Sequence, residues 1–152
     1  MTRKERAIEL FVGGANCAQA VLVAFADLCG LEERAAYRLS APFGGGLGRQ
    51  REVCGAVSGM CMVLGILYGY DDLSDAPAKA EHYRVVQELC TAFKAQFGSI
   101  VCRELLGAKI ATTHPEPDPR TAEYYRTRPC ARQVGVAAEI LEAYVNAHPV
   151  TK

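Results

Sequence analysis

The chain has 152 residues, half of them hydrophobic, and its 17 basic side chains cancel its 17 acidic ones. That length suits one domain with a real core. The charge balance excludes an electrostatic footprint for nucleic acid or an anionic membrane. There is no run of like charges, no low-complexity tract and no internal repeat. The opening MTRKERAIEL is charged from the start and lacks the apolar stretch of a secretory signal, so a cytoplasmic, reducing location is expected. Seven cysteines are many for such a place. A passive disulfide framework does not suit it, which leaves metal binding, thiol chemistry or burial to share them out.

In chain order the pattern is helical nearly throughout. Ala7, Leu10 and Phe11 begin a stripe that stops at Gly13-Gly14. Ala18, Val21, Leu22, Phe25 and Leu28 recur at helical spacing as far as Gly30. Glu32 to Leu39 is a shorter helix. Residues 53–70 then run for eighteen positions without a charge, at the lower edge of a membrane span. Four glycines and a serine interrupt the run, Glu52 and Asp71 clamp its ends, and the remaining helices are amphipathic. A central helix wrapped by the others is therefore expected, with no membrane span. The glycine pairs Gly55/Gly59 and Gly65/Gly69 would let neighbouring helices approach. Tyr83, Val86, Leu89, Phe93 and Phe97 mark a long amphipathic helix closed by Gly98, and Val134, Ala138, Leu141 and Val145 mark a last one ending before Pro149. No convincing strand is found. Residues 112–129 carry prolines at 115, 117 and 119 and read as an extended, solvated loop inside the domain. The expected architecture is all-α: one domain over 1–152, a compact multi-helix bundle around the apolar helix at about 53–70.

Placed on these helices, the cysteines fall into two groups. Cys17 follows Asn16, a good N-cap, with Gln19 completing a capping box. Cys54 opens the central helix. Cys102 lies three residues after Ser99, a candidate N-cap, and Cys130 follows Pro129, a residue favoured in a first turn. All four therefore read as helix-start cysteines. Unpaired N–H groups and the positive end of the helix dipole favour an anion there, and a thiolate is such an anion. Cys29, Cys61 and Cys90 sit on apolar faces and read as buried free thiols. No Cys-x-x-Cys pair exists, so neither a zinc ribbon nor a thioredoxin-like motif is present. A shared site requires the fold to gather four distant segments, as helix bundles do.

The stretch APFGGGLGRQREVCGAVSG, residues 41–59, precedes and includes Cys54. Its loop residues Gly44, Gly45, Gly46, Gly48 and Arg49, with Gly55, are the candidate cofactor-binding set. Glycine permits positive φ and close approach, turn N–H groups can face anions, and Arg51 adds charge. A tight turn between packed helices and a small anion site stay open as alternatives. A phosphate loop lacks its Gly-Lys-Ser/Thr, and no strand precedes as a dinucleotide fingerprint needs. His82, His114 and His148 read as solvated. Asp71-Asp72 and Glu32-Glu33 suit helix edges, and no nucleophile–base–acid signature is present, so the sequence assigns no enzymatic reaction.

The segments NCAQAVLVAF, FGGGLGR, CGAVSGMCMVLG and VCRELLG, followed by a cysteine leading into an amphipathic helix, resemble the C_GCAxxG_C_C family. The resemblance spans about residues 5–147. Cys54, Gly55, Ala56 and Gly59 match its CGAxxG element, and its four cysteines map onto Cys17, Cys54, Cys102 and Cys130. It implies redox activity without supplying a reaction. An all-sulfur set of four thiolates suits an iron–sulfur cluster for electron transfer, or zinc. The alternatives are a thiol–disulfide enzyme or sensor that cycles two of the four, with no cofactor, and a structural zinc or binding module. An electron partner is implied but unnamed, and a homodimer, the commonest oligomer, is the expected assembly if exposed faces pair.

Overall fold

The computed structural model describes residues 1–150. Among them are eight α-helices of five or more residues and no named strand: α1 (Arg3–Val12), α2 (Cys17–Ala24), α3 (Glu33–Ser40), α4 (Gly55–Tyr68), α5 (Ala76–Phe97), α6 (Cys102–Leu106), α7 (Ala122–Thr127) and α8 (Cys130–Ala147), with a 3-10 turn at Ala41–Phe43 leading into the glycine segment. The expected all-α bundle is what forms. No helix among the described residues is long and apolar enough to cross a membrane.

Local chemistry accounts for most helix ends. Thr2 and Glu5 close a capping box on α1, and Asn16 and Gln19 close one on α2. Asp75 caps α5 by accepting from the Ala78 N–H, and Gly98, at φ +85, ends it. α2 is shorter than its apolar spacing predicts. The Phe25 N–H bonds back to the carbonyls of Leu22 and Val23, which tightens the last turn. The chain then turns through Gly30, and Leu28 is exposed instead of buried.

α4 is the core helix, and it occupies a narrower range than residues 53–70. Its buried face is Ala56, Val57, Met60, Val63 and Leu64, with Gly55 and Gly59. Cys54 is its N-cap and Gly69 its extended C-cap. Val53 instead joins an isolated antiparallel bridge to Val101. The two glycine pairs behave differently. A Cβ on Gly59 would stand 2.8 Å from the Ala18 carbonyl oxygen, so α2 crosses α4 closely there. At Gly65 nothing lies within 4 Å, and the close approach expected at Gly65/Gly69 by another helix is not made. α2 packs chiefly on α4, and α1 chiefly on α8. Phe11, Phe25, Phe93, Leu22, Met60, Leu64 and Leu141 are fully buried between them, each contributing roughly 1.5–3 kcal/mol of burial.

The proline-rich stretch runs irregular and largely exposed over residues 112–121; it then forms the short α7, capped by Thr121, and is tied to the end of α1 and the start of α2. Arg120 donates to the carbonyls of Phe11 and Ala15 and lies 4.3 Å over the Phe11 ring. Extended proline backbone has few N–H groups of its own to satisfy, so arginines from elsewhere secure it through its carbonyls.

Candidate functional site

The glycine segment explains how the site is assembled. Gly45, Gly46, Leu47, Gly48 and Arg49 all have φ between +56 and +71. They form one left-handed turn, a conformation that costs an ordinary L-residue about 1–2 kcal/mol. Three glycines make it affordable, and Leu47, Arg49 and then Arg51 (φ +61) carry the strain. The turn delivers Arg51 to Cys54 alongside residues 100–103. The Cys54 N–H donates to the Ile100 carbonyl at 2.7 Å, the Cys102 N–H to that of Glu52 at 2.6 Å, and the Arg103 N–H to that of Arg51 at 3.2 Å. This short backbone pairing brings the starts of α4 and α6 together. Gly46 passes directly beneath α6: a Cβ there would stand 2.7 Å from the Cβ of Cys102. Gly55 does the same under α2, where a Cβ would lie 3.1 Å from that of Cys17.

The consequence is a cavity of about 440 Å³ lined by Cys17, Cys54, Cys102 and Cys130 together. Cys17, Cys102 and Cys130 are the first residues of α2, α6 and α8, and Cys54 is the N-cap of α4. The α6 cap differs from expectation. Val101 occupies it, while the Ser99 hydroxyl accepts from the Val101 N–H and donates to Glu104. Gly44, Gly45, Gly46, Gly48, Arg49 and Gly55 also line the cavity. Cys29, Cys61 and Cys90 do not.

The four thiols differ electrostatically. The neighbouring Cys130 thiol, with burial, holds Cys17 well above the ordinary thiol range. Cys17 in turn lowers Cys130 to about 7 against its burial, with help from Arg128, Arg51 and Arg120. Burial pushes Cys54 up to about 12, although the N–H groups of Ala56 and Val57 favour its thiolate. Burial raises Cys102 as well, against the Arg51 guanidinium. Only Cys130 is lowered, and by Cys17 and the arginines, not by its helix start. At Cys54 desolvation exceeds what the N–H groups of the helix end supply.

Arginines complete the walls. Arg51, whose side chain is 5% exposed, donates from Nη1 to the Cys102 sulfur at 3.7 Å and from Nε to the Thr112 carbonyl at 2.9 Å. Its Nη2 is buried with no hydrogen-bond acceptor, the Asp118 carboxylate lying 4.0 Å away. Arg49, expected to face a cofactor, is engaged with the proline-rich roof: Nε donates to the His114 carbonyl at 2.6 Å and Nη1 to Asp118 at 3.2 Å. Arg128 also donates to Asp118, at 2.9 Å. Burial works to raise the Asp118 pKa, but these two arginines outweigh it and hold the carboxyl below its usual value. Asp118, Arg120, Tyr124, Arg128 and Gln133 are wall residues that the sequence reading passed over. The only sequence signal for any of them is the closeness of Arg128 to Cys130. None of the histidines lines the cavity. His82 departs from its solvated expectation, with a buried, unbonded Nδ1 and its ring against Tyr70.

These side chains can be tested against the two metal groups. Around one zinc ion at Zn–S of about 2.3 Å, sulfurs stand within about 4 Å of one another. Among the described residues no three His, Cys, Asp or Glu side chains gather to hold a metal ion. An iron–sulfur cluster spreads its thiolates over several irons. The four-sulfur wall and the buried guanidinium with a free donor fit such an anionic group.

Fold and site together define an all-α domain in which four helix starts carry four cysteines around one cavity. The chain belongs to the C_GCAxxG_C_C family, described as "Putative redox-active protein", whose model matches residues 15–144. No curated protein and no solved structure matches it.

Proposed function

We propose that this protein is an electron-transfer module whose Cys17, Cys54, Cys102 and Cys130 hold an iron–sulfur cluster. The observation that supports it most is a cavity lined by all four sulfurs and walled by a buried guanidinium with an unused donor. When bound, such a cluster supplies one-electron chemistry at a potential set by its surroundings. The protein's own groups do the rest. Cys54 and Cys102 are held in register by the backbone pairing of residues 51–54 with 100–103. Arg51 provides positive charge and a donor against the thiolates. Loading requires Cys17, Cys54 and Cys102 to give up protons that burial makes them hold, so it releases protons and weakens as pH falls.

Anaerobic purification with visible spectroscopy and iron and sulfide analysis tests this reading. Brown protein with bound iron and labile sulfide is expected, both lost in Cys54→Ser. Unchanged metal content in that variant would overturn the assignment of its central ligand, and colourless, iron-free protein the reading as a whole.

One observation favours a second reading. Cys17 and Cys130 line the same cavity and act on each other's acidity, with Cys130 lowered to about 7. As a dithiol they would pass two electrons and two protons to an acceptor disulfide and become a disulfide themselves. Colourless protein that loses two titratable thiols on mild oxidation, mapped to Cys17 and Cys130, is the outcome that selects it.

A further inference from the structure

The charged side chains that line the four-cysteine cavity are Arg49, Arg51, Arg120, Arg128 and Asp118. Four cations thus face one carboxylate, in a chain whose charges balance. Such a wall favours an anion. Most of its donors are already spent. Arg49 and Arg120 donate to the carbonyls of His114, Phe11 and Ala15, and Arg51 serves the Cys102 sulfur and the Thr112 carbonyl.

The corner where α7 passes into α8 is different. Arg128 donates from Nη2 to Asp118 at 2.9 Å, and its guanidinium carbon lies 4.9 Å from the centre of the Tyr124 ring. Its other nitrogens meet no acceptor among the described residues. The Tyr124 N–H is taken by the capping Thr121 hydroxyl, but the Tyr124 hydroxyl has no partner among them. Gln133 follows Cys130 by one turn of α8 and is 3% exposed. Its backbone N–H goes to the Pro129 carbonyl, while its side-chain amide makes no hydrogen bond among the described residues. Buried polar groups are nearly always paired, so an idle amide on a cavity wall points to a ligand. Tyr124, Arg128 and Gln133 all line the cavity.

We propose that Tyr124, Arg128 and Gln133 form a seat for a small organic carboxylate beside the four sulfurs. The free N–H groups of the guanidinium make charge-assisted bonds to a carboxylate. The Gln133 amide and the Tyr124 hydroxyl, protonated at neutral pH, add two more donors. Leu105 and Leu106 line the same cavity and give the hydrocarbon part of the ligand an apolar wall, which an inorganic oxyanion leaves unused. The volume of about 440 Å³ is that of a small-molecule pocket. The seat adds a ligand class to the proposed redox centre. Its role rests on that reading, and its binding does not.

Calorimetric titration of the full chain, purified anaerobically and reduced, tests the seat with butyrate, its neutral isostere butyramide and inorganic phosphate. One butyrate per chain is expected, with butyramide and phosphate each at least about tenfold weaker. Gln133→Leu and Tyr124→Phe each remove one hydrogen bond to the charged ligand, and each is expected to weaken butyrate about tenfold. The urea midpoint of Gln133→Leu is expected to hold or rise, because the amide has no protein partner to lose. Butyramide or phosphate binding as tightly as butyrate, or both variants binding at the parent affinity, would overturn the proposal. So would a lower urea midpoint in Gln133→Leu, which would make the amide a structural group. Colourless, iron-free protein that still binds butyrate would sink the cluster reading alone, and brown protein that binds none would sink the seat alone.

Discussion

Arg51 concentrates the chemistry of the site in one side chain. Its backbone is strained at φ +61, its carbonyl accepts from the Arg103 N–H, and its guanidinium reaches Cys102. A hydrogen bond to a charged group is worth about 1.5 kcal/mol, which for one electron corresponds to roughly 60 mV. Donors and positive charge favour the reduced, more negative form of a cluster. If the proposed cluster is bound, Arg51→Met is therefore expected to lower its midpoint potential by roughly 60 mV, and Arg51→Lys to recover part of it. Spectroelectrochemistry on both variants reads the shift. An unchanged potential in Arg51→Met would mean that the guanidinium only braces the roof, through its bond to the Thr112 carbonyl.

Between elements, the contrast inside α4 is the most informative. Gly59 lies under α2, where an added Cβ would meet the Ala18 carbonyl oxygen at 2.8 Å and the Val21 Cβ at 3.0 Å. Backbone cannot move aside as a flexible side chain can, so Gly59→Ala is expected to destabilise the fold by about 1–3 kcal/mol. Gly65 is an exposed helix-interior position with nothing within 4 Å. Gly65→Ala keeps the helix and removes unfolded-state freedom, so it is expected to stabilise by about 0.5–1 kcal/mol. Urea titrations should show the midpoints moving in opposite directions at unchanged slope. The same helix carries Cys54 at its start and Cys61 two turns later.

At the scale of the molecule, the proline-rich segment acts as a roof. Asp118 is its keystone, accepting from Arg49 and Arg128, while Arg120 anchors the same segment to the ends of α1 and α2. Asp118→Asn removes the charge and leaves two cationic groups facing each other. It is expected to cost about 1–3 kcal/mol and to speed proteolysis within residues 112–121 severalfold. In cluster-loaded protein, air bleaching is expected to quicken with it. Proteolysis at the parent rate would show that Arg120 alone secures the segment.

The helices were readable from residues close together in the chain. Asn16 with Gln19, Gly98 after Phe97, and the apolar spacing along α5 and α8 act over one or two turns, and the structure uses them as such. The same local chemistry put Cys17 and Cys130 at helix starts. It misplaced the α6 cap because Val101 is drawn into pairing with Val53, a partner 48 positions away. Only the tertiary structure decided which arginine faces the sulfurs and which holds the roof. It also made the proline-rich stretch a wall. Thiol acidity belongs to this second group. A helix end is a property of sequence, but the burial that overrides it at Cys54 and Cys102 comes from segments that meet only when the chain folds.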